Sequence, residues 1–167
     1  GIYVQSVLDP NGLSYNMPGA FRLEKKPDVA RLEKAFVSLI RHDPIFRTVF
    51  VQGSNGICAR VLEDVDFTLE ELCADNFENA CAEFLRPFDL SVAPLLRAGL
   101  WQSADGQYYL FVDEHHIISD GMSTPILLQR LDKAYQSGSS PVQWDFYDCI
   151  CAPQLDQDQN ARQNLLY

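Results

Sequence analysis

A helical hydrophobic pattern runs from Asp28 to His42. Its apolar residues recur every three or four positions and are Val29, Leu32, Phe36, Leu39 and Ile40. This spacing places them on one face of an amphipathic helix. Asp28 follows Pro27 and is the predicted N-cap, and Pro44 ends the helix.

Predicted strands and turns alternate with the helical stretches. β-branched and aromatic runs predict strands at 14–24, 45–51, 57–62, 94–102 and 107–117, and two more helical patterns cover 69–89 and 124–136. Glycine-containing turns at 53–56 and 103–106 predict that the last four strands form two hairpins. Hairpins without regular strand-helix-strand alternation favour an α+β sandwich with a mixed or antiparallel sheet and about three main helices.

Composition narrows the function classes. The 167 residues are 47% hydrophobic and carry a formal net charge of -10, so the chain should be globular and should repel nucleic acid and anionic membranes. No run approaches the ~18 apolar residues that cross a bilayer, and residues 1–10 lack the features of a signal peptide. We therefore expect a cytoplasmic protein without nucleic-acid or membrane partners. Without a G-x-G-x-x-G or G-K-[ST] motif, a nucleotide cofactor has no support.

The five cysteines form no C-x-x-C pair and are Cys58, Cys73, Cys81, Cys149 and Cys151. An odd number without such a pair disfavours both a disulfide framework and a zinc knuckle. We expect reduced, mostly buried thiols.

The stretch DEHHIISDGMS, residues 113–123, concentrates the candidate chemistry. Successive strand side chains point to opposite faces, so His115 and His116 should diverge and cannot share one metal ion. His42 is the only other histidine, and we expect no metal site. One imidazole should face the packed side of the sheet, and the other should face the space beyond the strand end.

An acid and a glycine follow the histidines and leave two interpretations open. A histidine with Asp120 four residues further on and Gly121 in the next turn supplies a tunable base, an anchor and close backbone access. Alternatively, the histidine is a satisfied structural residue, Asp120 is a helix N-cap and Gly121 is ordinary turn chemistry. The combination shifts the balance toward a catalytic site.

Two blocks of this sequence resemble the condensation domains of nonribosomal peptide synthetases. HHIISDG (115–121) matches that family's HHxxxDG signature, and RHDPIFRTVF (41–50) is similar to its RHExLRTxF block. SYNMP (14–18) and FYDCIC (146–151) look like two weaker family stretches. The resemblance implies one lobe of a two-lobed α/β sandwich fold similar to chloramphenicol acetyltransferase, with the substrate tunnel between the lobes.

Domain boundaries follow from the same resemblance. Residues 1–137 correspond to the N-terminal lobe, and 138–167 correspond to a linker and the start of the segment that leads to the C-terminal lobe. The stretch 136–144, which contains Gly, Ser and Pro, supports a linker there. Because the chain starts with glycine and stops within the helical-looking NARQNLLY, we expect a piece of a longer protein.

The resemblance implies thioester aminolysis. The amine of an acceptor aminoacyl group on one carrier protein attacks the acyl thioester of a donor on another and forms an amide. The carriers supply the phosphopantetheine arms, so no cofactor is bound directly. The implied partners are the donor and acceptor carrier proteins, the missing C-terminal lobe and neighbouring synthetase domains. Alone, the chain would lack half of the tunnel, and we expect it to be inactive.

The resemblance also assigns roles to four residues of the signature. His116, the second histidine, is the implied catalytic residue. The Gly121 N–H is a hypothetical donor to the developing oxyanion, based on its place in the turn. His115 and Asp120 are implied structural supports.

Arginines and lysines complete the expected site and its docking surface. The family's aspartate pairs with an arginine, which makes Arg47 the first choice and Arg41 the second as partner of Asp120, since an unpaired buried charge is costly. Docking of carriers, which are commonly acidic, should rely on local basic residues. The candidates are Arg22, Lys25, Lys26 and Arg130.

Related functions are weighed by departures from the signature. A heterocyclization domain would carry aspartates in place of His115 and His116, and an epimerization domain would usually continue with Trp-Arg after Ser123. Two alternatives stay open. One is an acyltransferase of the same superfamily that uses coenzyme A or carrier thioesters and an alcohol acceptor. The other is a non-catalytic module that docks carrier proteins.

Overall fold

The computed structural model describes residues 1–54 and 56–136, together with the backbone of 144–147. Its helices are α1 (Ile2–Leu8), α2 (Val29–His42), α3 (Phe77–Phe84) and α4 (Ser123–Gln136), with a 3-10 turn at Pro44–Arg47. Its strands are β1 (Asn16–Leu23), β2 (Thr48–Gly53), β3 (Gly56–Val61), β4 (Glu70–Leu72), β5 (Leu96–Gln102), β6 (Tyr108–His115) and β7 (Trp144–Tyr147).

A five-stranded mixed sheet with the order β4-β5-β6-β1-β7 forms the centre of the fold. β4 runs parallel to β5, and the other neighbouring strands are antiparallel. β2 and β3 form a separate hairpin. The mixed sheet and its helices confirm the predicted fold class, and both predicted hairpins form.

Helices cover both faces of the sheet. On one face, Phe36 of α2 and Leu131 of α4 share a core with Leu110 of β6. On the other face, Phe84 of α3 packs on Phe111, with ring centroids 5.5 Å apart. β6 supplies Leu110 and Phe111 to opposite faces because successive strand side chains alternate. The same alternation sets the direction of each polar side chain at the end of this strand.

The predicted amphipathic helix is present as α2 and begins as expected. The Asp28 side chain accepts a hydrogen bond from the Arg31 N–H at 3.0 Å. This bond satisfies one of the free N–H groups of the first helical turn. The confirmed cap shows that the local sequence alone specifies where this helix starts.

The helix predicted over 69–89 is wrong in its first third. Residues Glu70–Leu72 form β4, which pairs with β5, and α3 covers only Phe77–Phe84. Asn76 begins α3 by accepting a hydrogen bond from the Asn79 N–H at 2.9 Å. The apolar spacing of this segment does not reveal the partner strand, which is more than twenty residues away.

Other boundaries also shift. The predicted strand 45–51 begins only at Thr48, after the 3-10 turn, and the predicted strand 107–117 ends at His115. The apolar pattern did not predict α1, β4 or β7. The proposed boundary at 137 and most of the proposed linker lie outside the described residues, so that division of the chain stays a prediction.

The described cysteines are free thiols. Cys81 is buried, whereas Cys58 and Cys73 are exposed. The expectation of mostly buried thiols is therefore wrong for those two, because β3 and the residue after β4 lie at the surface.

Candidate active site

The end of β6 places two adjacent histidines in opposite environments. His115 is the last strand residue and has 3% of its surface exposed. His116 lies in the following turn and is exposed. The predicted divergence of the two imidazoles is confirmed, because one faces the packed side of the sheet and the other does not.

His115 uses both ring nitrogens within the fold. Its Nδ1 accepts a hydrogen bond from the Ile117 N–H at 3.1 Å. In the neutral ring the proton is therefore on Nε2, which lies 3.3 Å from the Ser6 hydroxyl. Burial, helped by the positive charge of His116, lowers the pKa of His115 to about 4. At neutral pH this ring is an uncharged structural element.

Ser6 and His115 do not form an activated nucleophile. The Ser6 hydroxyl donates to the Ile2 carbonyl at 3.0 Å, and the neighbouring Nε2 is itself a donor. A base that activates a serine must accept its proton. A cavity of about 240 Å³ adjoins this pair, but it offers no basic nitrogen of His115 to a reactant.

His116 is held so that one ring nitrogen is anchored. Its backbone N–H donates to the Tyr15 carbonyl at 2.8 Å. Its Nδ1 lies 2.8 Å from the Ser119 carbonyl oxygen, and a carbonyl only accepts, so Nδ1 carries the proton. The neutral ring then has its lone pair on Nε2, on an exposed side chain. The two neighbouring histidines thus hold opposite tautomers.

The turn after His116 is organised by Asp120. Its Oδ1 accepts hydrogen bonds from the N–H groups of Met122 and Ser123, both at 3.0 Å, and from the Ser123 hydroxyl at 2.7 Å. The bond from the Ser123 hydroxyl is the largest of the causes that lower the pKa of Asp120. Asp120 therefore caps the turn that leads into α4, which was the structural alternative for this residue.

Gly121 lies beside Asp120 in the same turn and is exposed. No atom comes within 4 Å of the position that a Cβ would occupy there. Its φ angle is not positive, so the backbone conformation does not demand glycine. What the position provides is open space over the backbone.

The expected ion pair between Asp120 and an arginine is not formed. The Arg47 guanidinium instead donates to the carbonyls of Ile40, Leu62 and Glu63, which ties α2 to the end of β3. Arg41 is exposed at the end of α2, and none of the described contacts of Asp120 reaches it. The correction has a simple cause: Asp120 is exposed and capped by N–H groups, so it needs no buried counter-charge.

A buried ion pair, which the motifs did not reveal, lies beneath the histidines. Arg97 of β5 and Asp113 of β6 are 7% and 0% exposed in their side chains, with 3.4 Å between Nε and Oδ2. They stand directly opposite each other in the strand register. The available signal was the polar DE pair that interrupts an otherwise apolar strand, together with an arginine inside PLLRAGL.

Glu114 is the second buried acid at this strand end, with 1% of its surface exposed. It faces α4, where the Thr124 hydroxyl donates to its Oε2 at 3.2 Å. Burial raises the pKa of Glu114, while the hydroxyls of Thr124 and Ser119 act in the opposite direction. This contact links the two ends of the turn that carries His116.

Neither a metal site nor a membrane-spanning helix emerges within the described ranges. No group of three or more His, Cys, Asp or Glu side chains there could hold a metal ion. The helices of the same residues are too short or too polar to cross a bilayer.

Comparison with known proteins identifies the family of this chain. The family model described as Condensation domain matches residues 1–146. The chain belongs to the condensation domain family. Similar proteins include a plipastatin synthase of Bacillus subtilis (strain 168), 41% identical over 144 residues, and Gramicidin S synthase 2 of Brevibacillus brevis, 39% identical over 142 residues. Each of these matches covers 84% of this chain, but only 6% and 3% of the respective relatives.

Solved condensation domains share the fold of this one. The starter condensation domain of the rhizomide synthetase RzmA matches with a TM-score of 0.70 at 24% identity, and the match covers 87% of this chain and 38% of that chain. The first condensation domain of the calcium-dependent antibiotic synthetase gives 0.71 at 18% identity, with 88% and 38% covered. This condensation domain chain therefore spans just over a third of the solved chains that it matches. The resemblance inferred from the HHxxxDG and RHExLRTxF blocks is confirmed.

Proposed function

We propose that this chain supplies the catalytic histidine of a condensation domain that joins an acceptor aminoacyl amine to a donor acyl thioester. Both substrates would be held on the phosphopantetheine arms of carrier proteins. The observation that carries the proposal is the geometry of His116, whose Nδ1–H is fixed by the Ser119 carbonyl at 2.8 Å while its Nε2 is left as an acceptor on an exposed ring.

His116 takes the proton that the amine loses. As the amine nitrogen bonds to the thioester carbonyl carbon, Nε2 accepts a proton from it. The C–S bond then breaks, and the departing thiolate takes that proton from the imidazolium. An α-amino group has an ordinary pKa of roughly 7.7 to 8, so a useful fraction is already neutral near pH 7. Proton transfer during attack, together with alignment of the amine, is therefore sufficient.

The Gly121 N–H is the proposed donor to the oxyanion that forms when the thioester carbonyl is attacked. The turn is open at this position, since no atom lies within 4 Å of a Cβ built there. A reacting carbonyl can approach such a backbone closely. A backbone donor placed at the developing charge stabilises the transition state more than the ground state.

The proposed partners are the donor and acceptor carrier proteins, the C-terminal lobe of the domain and neighbouring synthetase domains. The similarity to multi-domain synthases supports them. Arg22, Lys25 and Lys26 stay candidates for carrier docking. Arg130 is a weaker candidate, because its guanidinium contacts the Asp43 carboxylate.

Amide formation by the complete domain tests the proposal. Intact mass spectrometry would follow product formation from acyl-loaded and aminoacyl-loaded carriers, with wild type and His116→Ala compared at equal folded concentration. We expect a loss of about 10²-fold or more in His116→Ala. His42→Ala is the matched control, because His42 is also exposed and its Nδ1 also lies near a carbonyl, that of Ser38 at 2.7 Å.

The other outcomes separate the alternatives. Undiminished product from His116→Ala would exclude this histidine and leave condensation standing. No amide from folded wild type with several loaded pairs would contradict condensation. In that case, acyl transfer to an alcohol would favour the acyltransferase alternative, and carrier binding without turnover would favour the docking module.

A further inference from the structure

The buried Arg97–Asp113 pair is unfavourable as a stabilising element. Burial lowers the pKa of Arg97 to about 10 and raises the pKa of Asp113 to about 6, so it opposes the charged form of both partners. Among the described residues, Arg97 Nε and Nη1 and Asp113 Oδ1 have no hydrogen-bond partner. Apolar residues of similar size are often as stable as such a pair, or more so. Core packing alone therefore does not account for it.

One set of contacts runs from the carboxylate to the histidine backbone. The Asn16 amide donates to Asp113 Oδ2 at 2.6 Å, and Asn16 stands opposite His115 in the register of β1 and β6. The preceding carbonyl, that of Tyr15, accepts the His116 N–H at 2.8 Å. The carboxylate thus fixes the start of β1, which in turn holds the backbone of His116.

A second set runs from the guanidinium to the histidine ring. The Arg97 Cζ lies 3.7 Å from the centre of the Phe88 ring, and Arg97 Nη2 donates to the Pro87 carbonyl at 3.4 Å. Phe88 meets the His115 imidazole edge to face, with centroids 6.0 Å apart and an interplanar angle of 88°. The two sets of contacts converge on the two histidines from opposite partners of one ion pair.

We propose that Arg97 and Asp113 are positioning residues, which act through Asn16 and Phe88 to hold the His115–His116 turn so that the His116 ring keeps its Nδ1–H on the Ser119 carbonyl. The role rests on the proposed amide-forming function of His116. It needs directional, charged partners, since apolar replacements would fill the same volume without fixing the Asn16 amide or the Phe88 ring.

The test replaces the buried pair without leaving a lone charge. Arg97→Met/Asp113→Leu would be made in the complete condensation domain and compared with Arg86→Met/Glu70→Leu. The control makes the same exchanges at a more exposed Arg–Glu pair, whose side chains are 49% and 31% exposed. We expect the buried replacement to fold and to lower kcat about 10- to 100-fold with KM for the loaded carriers nearly unchanged. The control should retain wild-type kcat.

A second readout is independent of turnover. In domain labelled with ¹⁵N-histidine, the ring signals of His116 should report Nδ1–H in wild type and a mixture of tautomers in the buried double variant. Wild-type kcat or an unchanged tautomer in that variant would overturn the proposal. A wild type without amide product would sink the proposed function alone, because the tautomer comparison still decides the positioning role.

Asn16→Ala covers the case in which the double variant fails to fold. It removes only the amide that joins Asp113 to the start of β1, and Asn16 is half-buried. We expect about a 10-fold lower kcat at unchanged KM. Wild-type kcat in folded Asn16→Ala would contradict the proposed connection.

Discussion

Two neighbouring histidines acquire different chemistry from the atoms around their ring nitrogens. His115 is buried, with Nδ1 bonded to the Ile117 N–H and Nε2 near Ser6. His116 is exposed, with only Nδ1 engaged, by Ser119. A general base needs an accessible lone pair, so the second ring fits that role and the first does not.

The titration of His115 is the first prediction. Its pKa of about 4 in the folded state lies below the ordinary 6.5, so the folded state binds fewer protons than the unfolded state between these values. The stability contributed by neutral His115 is complete above pH 6.5 and is lost as pH falls toward 4. An NMR titration of the ring should give a midpoint near 4. A midpoint near 6.5 would show that the ring is not buried as described.

Gly121→Ala is the second prediction at this scale. Because nothing lies within 4 Å of the added Cβ, the free energy of unfolding should change by less than about 0.5 kcal/mol. The methyl group would project into the space where a thioester must approach, so kcat/KM for amide formation should fall. Thermal denaturation and the mass-spectrometric assay measure the two effects. Full activity in the variant would place the reacting carbonyl elsewhere.

At the scale of elements, β6 brings function and packing together. Its Leu110 and Phe111 fill the cores on the two faces of the sheet, while Asp113, Glu114 and His115 put buried polar groups at its end. The polar end is tied to β1 by the Asn16 amide and to α4 by the Thr124 hydroxyl. The strand therefore holds the His116 turn from both sides.

The pH dependence of Asp113 tests the electrostatics of this element. Burial raises its folded-state pKa to about 6, outweighing the attraction of Arg97, so the folded state keeps a proton that the unfolded state loses. The unfolding free energy of wild type relative to Asp113→Asn should therefore fall as pH rises from about 4 to 6, by on the order of 1 to 3 kcal/mol. The opposite contribution of His115 is present in both proteins and cancels.

Urea denaturation of both proteins at several pH values measures this difference. A difference that stays constant, or that rises with pH, would show that the attraction of Arg97 dominates over burial. Tm alone is insufficient, because Asp113→Asn also leaves Arg97 without its counter-charge at every pH.

At the scale of the whole molecule, the chain is one part of a larger catalytic assembly. It covers just over a third of the solved condensation domains that it matches and less than a tenth of the two synthases. Its His116 ring is exposed, and the proposed reaction needs a site that excludes water around the intermediate. The rest of the domain would provide that enclosure.

The activity of the isolated chain is the prediction at this scale. Residues 1–167 alone should give no amide with loaded carriers, whereas the complete domain should give product under the same conditions. Circular dichroism would establish that the isolated chain is folded, and mass spectrometry would measure product. Amide formation by the folded chain alone would contradict the need for an enclosed site.

The sequence by itself determined the elements that depend on near neighbours. The spacing of apolar residues placed α2, the Asp28 side chain marked its start, and glycine turns marked both hairpins. Strand alternation predicted the divergence of His115 and His116, and the HHxxxDG block identified the family. Each of these rests on residues within a few positions of one another, where backbone geometry leaves few alternatives.

Only the tertiary structure decided which distant residues meet. The pairing of β4 with β5, the Arg97–Asp113 ion pair and the capping of Asp120 without Arg47 all depend on strand register or on a turn placed by several elements. The tautomers of the two histidines depend on single carbonyl, hydroxyl and N–H groups. Burial and hydrogen bonding are properties of the packed chain, because they arise only when segments far apart in sequence exclude water together.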